Sequence, residues 1–208
     1  MRELILAAAL RLFAEESFER TTMRRIAEVI EYTPGTIYGY FKDKSEILYA
    51  LHVRGFEELV ARMEAALVGV NAPGERLGAL GRAYIRFAFD NPIQYDLMFL
   101  SKTTAKKILA DAEWDCGERA YGLLRNEVRG FLEHHHSTVD PEVATFTCWS
   151  TVHGMVALVI RDRCIFFPTE ALPAIVDAAF QQYLTMMTTA APALTHPPVS
   201  SPFQALPS

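Results

Sequence analysis

TMRRIAEVIEYTPGTIYGYFKDKSEIL, residues 22–48, packs three helix starts into one short stretch. Thr22 precedes Ile26, Ala27 and Ile30, an N-cap followed by a helix of about nine residues. Thr33 is a second capping residue with Pro34 at the first helical position, which forces a stop after Ile30 and a restart across a three-residue turn. That helix runs to about Tyr40. Asp43, with Glu46 three residues on, is the capping pair of a long helix through Val68. In front, Ile5, Ala9, Leu12 and Phe13 make one apolar face of a helix ending near Ser17. Two short helices joined by a tight turn, behind a third, follow the helix-turn-helix plan, whose second element enters the major groove of DNA.

Charge placement bears on the same stretch. The chain carries a net charge of −5, which argues against indiscriminate coating of nucleic acid but not against a local site. Residues 20–44 reverse the sign, holding Arg20, Arg24, Arg25, Lys42 and Lys44 against Glu28, Glu31 and Asp43. Arg24, Arg25 and Lys44 stand in first turns, where cations oppose the helix dipole. Helix starts flanked by cations favour bound anions, and several along one edge suggest a row of phosphates. A solvated face with local glutamate partners fits the charges equally well.

Outward from this stretch, 208 residues suffice for one large domain or two small ones. With half the residues apolar and 22% charged, an intrinsically disordered chain is excluded. After a break at Asn71-Ala-Pro-Gly74, helices are expected from about Glu75 to Asp90, Asn91 to Leu100, Thr104 to Glu133, Pro141 to Arg161 and Thr169 to Thr188. The fold class is all-α, about nine helices with no convincing strand. Residues 1–47 form the helix-turn-helix domain, 48–189 a second helical domain, and 190–208, rich in Pro, Ala and Ser, a disordered tail. The longest weakly polar stretch, Cys148 to Ile160, holds Ser150, Thr151 and His153 and falls short of the roughly 20 apolar residues of a spanning helix, so no membrane partner is expected. Leu4 to Leu10, bracketed by Glu3 and Arg11, suits a helix of a soluble domain better than a signal sequence. Cys116, Cys148 and Cys164, without a CxxC pair, indicate neither a disulfide framework nor a zinc ribbon, and imply a cytoplasmic location.

Residues 22–27, 33–41 and 42–48 together resemble the DNA-binding domain of the tetracycline-repressor (TetR) family, ungapped over about 45 residues. That resemblance implies backbone-phosphate contacts for Thr36, Tyr38 and Lys44. It places Arg24, Pro34, Gly35, Gly39 and Tyr40 against bases or groove walls, and Ile26, Ile37 and Phe41 in the packing. Thr22 and Thr33, at the two helix starts, complete the candidate DNA-binding set. Spacing sets Tyr38 off the face of Ile37 and Phe41; for Tyr40 a core role and a groove role both stand. Ser17 and Glu31 replace the family's usual glycines, and a left-handed backbone there would cost roughly 1 kcal/mol each. The family's usual arm before the first helix is not expected to contribute contacts, unless translation starts upstream of Met1. No Arg, Lys, Asn or Gln lies between Thr33 and Phe41, so base readout would rest on close backbone approach, methyl contacts and DNA shape.

Farther along, NPIQYDLMF, residues 91–99, and WSTVHG, residues 149–154, resemble the Trp-His-Gly class of ligand-binding domain in this family. The resemblance implies a cavity for a small apolar effector, with Phe87, Tyr95, Met98, Phe99, Trp114, Trp149 and His153 as candidate lining residues. His153 lies one turn after Trp149 on the same face. It fits a hydrogen-bonded interior histidine as well as a polar group in an apolar pocket. The last two helices carry Leu172, Ile175, Ala179, Tyr183 and Met186 at three- and four-residue steps. A monomer could bury that stripe; the family resemblance implies instead a homodimer interface, and a two-fold pair doubles the contacts on a palindromic site.

Catalysis finds little support. Cys148 and His153, five residues apart, face about 140° away from each other on a helix. His134, His135 and His136 are consecutive and cannot jointly ligate one ion, so neither a metal nor a cofactor is expected. What the TetR resemblance implies is a non-enzymatic, dimeric, ligand-responsive repressor binding a double-stranded DNA operator. A helical protein of the same fold acting as an enzyme or interaction module is the alternative.

Overall fold

The computed structural model describes residues 1–101 and 115–189. Among them are nine α-helices and no strand: α1 (Arg2–Glu16), α2 (Met23–Val29), α3 (Pro34–Tyr38), α4 (Lys44–Ala66), α5 (Pro73–Asp90), α6 (Pro92–Tyr95), α7 (Asp115–His134), α8 (Pro141–Ile160) and α9 (Leu172–Thr189). A π-helical turn, Asp96–Leu100, continues α6, closed by the Ser101 amide donating to the Asp96 carbonyl at 2.9 Å. The expected start of the seventh helix at Thr104, Trp114 and the tail lie outside the described residues.

Helix starts follow the local chemistry. Thr22 Oγ1 accepts from the Arg25 amide at 3.1 Å, and Thr33 Oγ1 from the Thr36 amide at 3.4 Å beside Pro34. Asp43 accepts from the Glu46 amide, while the Glu46 carboxylate reaches one residue past Asp43 and accepts from the Lys42 amide, so two amides at this helix start are satisfied. Asp140 caps α8 by accepting from the Glu142 and Val143 amides. Three helix ends share one stop motif without glycine. Glu31, His136 and Asp162 have φ of 59°, 50° and 53°. In each case the following amide reaches back five residues: Tyr32 to Ala27, Ser137 to Leu132, and Arg163 to Leu158.

Two compact units emerge, Met1–Val60 with Asp90–Gly117, and Ala61–Phe89 with Glu118–Ser208. The division differs from the expected boundary after Ile47, because the core of the first three helices includes α4 residues. Ile5, Leu12, Ile26 and Ile37 pack with Ile47, Leu48 and Leu51 of α4 and with Leu97 of the π-helical turn. In the second unit, Leu77, Phe87, Val128, Phe131, Val152 and Phe180 are buried. Gly81 of α5 is packed so closely by the Phe180 ring of α9 that a side chain there would collide with it.

Helix α8 qualifies by length and composition to cross a membrane, with a mean hydropathy of 1.6, which corrects the expectation that no stretch reaches that threshold. Its sequence is interrupted by Thr145, Thr147, Ser150, Thr151 and His153, and each of the three threonine hydroxyls donates to the carbonyl four residues back, which lets the polar groups hide within an apolar helix.

Candidate nucleic-acid interface

Helix α3 is held by Ile37, fully buried, and by Phe41 just beyond its end, 2% exposed. That anchoring turns Tyr38 and Tyr40 outward, 57% and 48% exposed. Tyr40, for which two roles stood open, therefore lies on the solvent face. Thr33, Pro34, Gly35 and Gly39 are exposed beside them and Thr36 is half-buried, its hydroxyl 3.1 Å from that of Thr33. Thr22 is exposed at the start of α2.

Arg24 points outward and pairs with Glu28 at 3.1 Å, and Arg25 with Glu16 at 2.9 Å. Ion pairs this exposed contribute at most about 1 kcal/mol, so Arg24 can exchange its carboxylate for a phosphate at little cost. Lys44 behaves differently. Its ammonium donates to three backbone carbonyls, of Phe18, Glu19 and Thr21, and sits over the Phe18 ring. All three N–H groups are engaged within the chain, so a phosphate contact from this side chain would have to displace a backbone carbonyl. Tyr32, 47% exposed beside Thr33, is an outward aromatic that sequence reading passed over, although it stands just outside the apolar stripe of α2.

Both departures from glycine keep a left-handed backbone. Ser17, ending α1, has φ 71° and ψ 159°, a region essentially reserved for glycine. Glu31 fills the stop position of α2 in the turn before α3.

The candidate effector residues fall into two separate clusters. In the first unit, Tyr95 is fully buried and its ring centroid lies 4.8 Å from that of Phe99, which lies 5.2 Å from Phe56. Met98 fills the notch left by Gly55, where any Cβ would overlap its sulfur. Gln94 Nε2 donates to the Leu51 carbonyl at 2.6 Å beside it. His52 closes the row of rings, 4.9 Å from Phe56. It was missed in the sequence, although Leu48, Leu51, Gly55, Phe56 and Leu59 around it trace the buried stripe of α4 at three- and four-residue steps. It is 1% exposed, neither ring nitrogen has a hydrogen-bond partner among the described residues, and burial holds its pKa down to about 4.

In the second unit, Phe87 is buried beneath the Arg62 guanidinium. Trp149 lies 5.9 Å from the His153 ring and edge-on to Tyr121. Tyr84 Oη is 3.2 Å from His153 Nδ1, and burial lowers the pKa of that imidazole. His153 is half-buried and hydrogen-bonded through Nδ1. Trp114 lies outside the described residues.

For the candidate dimer stripe the structure separates two faces of α9. Leu172 is buried with Val176, Phe180 and Leu184 in its own chain, which corrects its assignment to an intersubunit surface. Tyr183 is half-buried, and its hydroxyl is hydrogen-bonded to the Cys148 thiol and to Thr151 of α8. The buried Cys148 thiol is pushed up to about 11 by desolvation, which makes it inert. Ile175 and Ala179 are half-buried and Met186 is 58% exposed. Sequence reading missed Phe146 and Leu158 of α8, 58% and 52% exposed.

Comparison with known proteins agrees with this architecture. The family of bacterial regulatory proteins, tetR family, matches residues 5–51, and the tetracyclin repressor-like, C-terminal domain matches residues 77–187. The HTH-type transcriptional repressor KstR of Mycolicibacterium smegmatis is 32% identical over 115 residues, 53% of this chain and 52% of that protein. The HTH-type transcriptional regulator HbdR of Aromatoleum sp. is 30% identical over 110 residues, 53% of this chain and 47% of that one. The chain spans about half the length of the curated relatives it matches. Among solved structures, the fatty acid degradation regulator FadR of Bacillus halodurans superposes with a TM-score of 0.73 at 21% identity, over 88% of this chain and 94% of that one. At that identity the likeness shows the fold alone. With one family match on the helix-turn-helix and the other running from α5 into α9, the chain belongs to the TetR family of bacterial regulatory proteins.

Proposed function

We propose that this chain is a cytoplasmic transcriptional repressor that binds a palindromic operator as a homodimer and is released by a small apolar effector. The observation that carries this reading is the division of side chains around α3: Ile37 and Phe41 point into the core, while Tyr38, Tyr40 and the Thr33 hydroxyl face out. Phenolic and threonine hydroxyls suit phosphate oxygens, and the exposed Arg24 adds a cation at the start of α2. Tyr32 extends this face. For effector binding, both aromatic clusters offer apolar walls with a histidine, Tyr95, Met98 and Phe99 in one unit and Phe87, Trp149 and His153 in the other. An effector acts by binding more tightly to the arrangement that holds DNA poorly. For assembly, α8 is strongly apolar yet only 28% of its most apolar window is buried in the chain, which supports a second copy packing on Phe146, Leu158, Ile175, Ala179 and Met186.

Fluorescence anisotropy on duplexes from the intergenic DNA upstream of the coding sequence tests the reading. Binding is expected to saturate, to weaken steeply with salt, and to weaken on all sequences alike in Tyr38→Phe. A folded dimer that binds no duplex tighter than random DNA would refute it.

A further inference from the structure

A buried imidazole with two unanswered nitrogens is costly, on the order of 1–3 kcal/mol for each unsatisfied group, and calls for a partner. Among the described residues His52 is that group, and three features of its surroundings fit a ligand. It ends a row of rings running through Phe56 and Phe99 to Tyr95, an apolar wall suited to an aromatic body. One helical turn farther along α4, Gly55 leaves a notch shared by the Met98 thioether and the Gln94 side-chain amide; Gln94 is tied to the Leu51 carbonyl, whereas the unbranched Met98 side chain can swing aside more readily than any branched or aromatic residue. The neutral ring, finally, offers one N–H donor and one acceptor, so it can serve a hydroxyl or a carboxyl oxygen alike. His153 is less available, since its Nδ1 already faces Tyr84 Oη.

We propose that His52 is the hydrogen-bonding anchor of the effector site, holding the oxygen-bearing end of a small aromatic molecule whose ring lies along Phe56 and Phe99 in the space opened by Met98. This rests on the reading that the chain responds to a small molecule, and it moves the polar contact from α8 to α4, the helix that begins directly after the DNA-facing segment.

Three probes sharing one body separate the contributions: 2-phenylethanol, phenylacetate and ethylbenzene. Calorimetric titration of the full chain without DNA is expected to show either or both oxygen-bearing probes binding at least about tenfold tighter than ethylbenzene, the discrimination one good hydrogen bond supplies. The His52 ring nitrogen resonances are expected to shift with the bound fraction. In His52→Phe the preference disappears, while the variant melts no lower than the parent because an unsatisfied polar group has become an apolar ring. In His52→Gln, which keeps a donor and an acceptor, part of the preference returns. Absence of binding by every probe, or a preference that survives His52→Phe, overturns the proposal. A chain that shows the preference but binds no operator overturns the repressor reading alone; one that binds operator but shows no preference overturns this inference alone.

Discussion

The ammonium of Lys44 lies 2.7 Å from the Phe18 carbonyl oxygen and 4.5 Å from the centroid of the Phe18 ring, so one residue of α4 grips both the backbone and the side chain that follow α1. The Glu19 and Thr21 carbonyls, at 3.0 and 3.1 Å, complete its donors. A hydrogen bond to a charged group contributes about 1.5–3 kcal/mol when well desolvated, and this half-buried site justifies the lower end. Lys44→Met is therefore expected to lower unfolding stability by about 1–2 kcal/mol in urea, with operator affinity of the folded fraction nearly unchanged. Tyr38→Phe should do the reverse, weakening DNA binding with no loss of stability. Should Lys44→Met leave the urea midpoint in place while reducing the salt dependence of DNA binding, the side chain is a phosphate ligand after all.

Ser17 and Glu31 hold conformations that glycine adopts without steric cost. Ser17, with φ 71° and ψ 159°, carries the larger strain, on the order of 1–3 kcal/mol for a non-glycine residue. Glu31, at φ 59°, carries about 1 kcal/mol. Both are exposed, so replacement removes little packing. Ser17→Gly and Glu31→Gly are expected to raise stability by about 1 kcal/mol each, less the greater entropy glycine adds to the unfolded chain, and to add when combined because the two sites share no hydrogen-bond partner among the described residues. Denaturation midpoints that fall in both variants would mean the strain is relieved by interactions the backbone geometry does not reveal.

These cases mark what was legible in the residues. The caps at Thr22, Thr33 and Asp43 were, because each is a side chain bonding an amide three residues on, and sequence displays that distance directly. Lys44 was not, since its acceptors are carbonyls more than 20 residues earlier, and a backbone carbonyl leaves no mark on composition. The face of α9 was only half legible. Leu172, Val176, Phe180 and Leu184 form one apolar stripe, and Ile175, Ala179 and Met186 another, so periodicity alone does not choose the inner one. His52 escaped for a related reason: a lone histidine in an apolar stripe draws no notice until its nitrogens prove to have no partner among the described residues.

That same burial gives His52 a signature in pH. Its folded pKa of about 4 lies below the ordinary value of 6.5, so the unfolded chain binds the proton more readily. Stability from this group is complete above about pH 6.5 and falls as the pH drops toward 4, by up to about 3 kcal/mol. His153, lowered by burial as well, adds a loss of the same sign. The His52→Phe variant should keep the His153 part and lose the rest, flattening the fall in stability between pH 6.5 and 4. Parallel stability curves for parent and variant over that interval would show that the ring is solvated or charged in the folded protein.

The exposed apolar faces of α8 and α9 lead to the last expectation. Leu158 and Met186 are each more than half exposed, a poor arrangement for a lone chain and a good one for a surface met by its copy. In a two-fold interface every substitution occurs twice, and a carboxylate buried there without a partner costs several kcal/mol. Leu158→Glu and Met186→Glu are expected to weaken dimerisation about a hundredfold or more, read by sedimentation equilibrium, while leaving the helical signal intact. Operator affinity should fall with dimer population, because a single α3 of five residues offers few contacts and the pair offers twice as many. Monomers that bind the full palindrome as tightly as the parent would separate assembly from DNA recognition and sink the two-headed mechanism. Dimers that persist in both variants would instead move the interface to another surface, and the Ile165-Phe166-Phe167 loop between α8 and α9, with Phe166 85% exposed, is the next place to substitute.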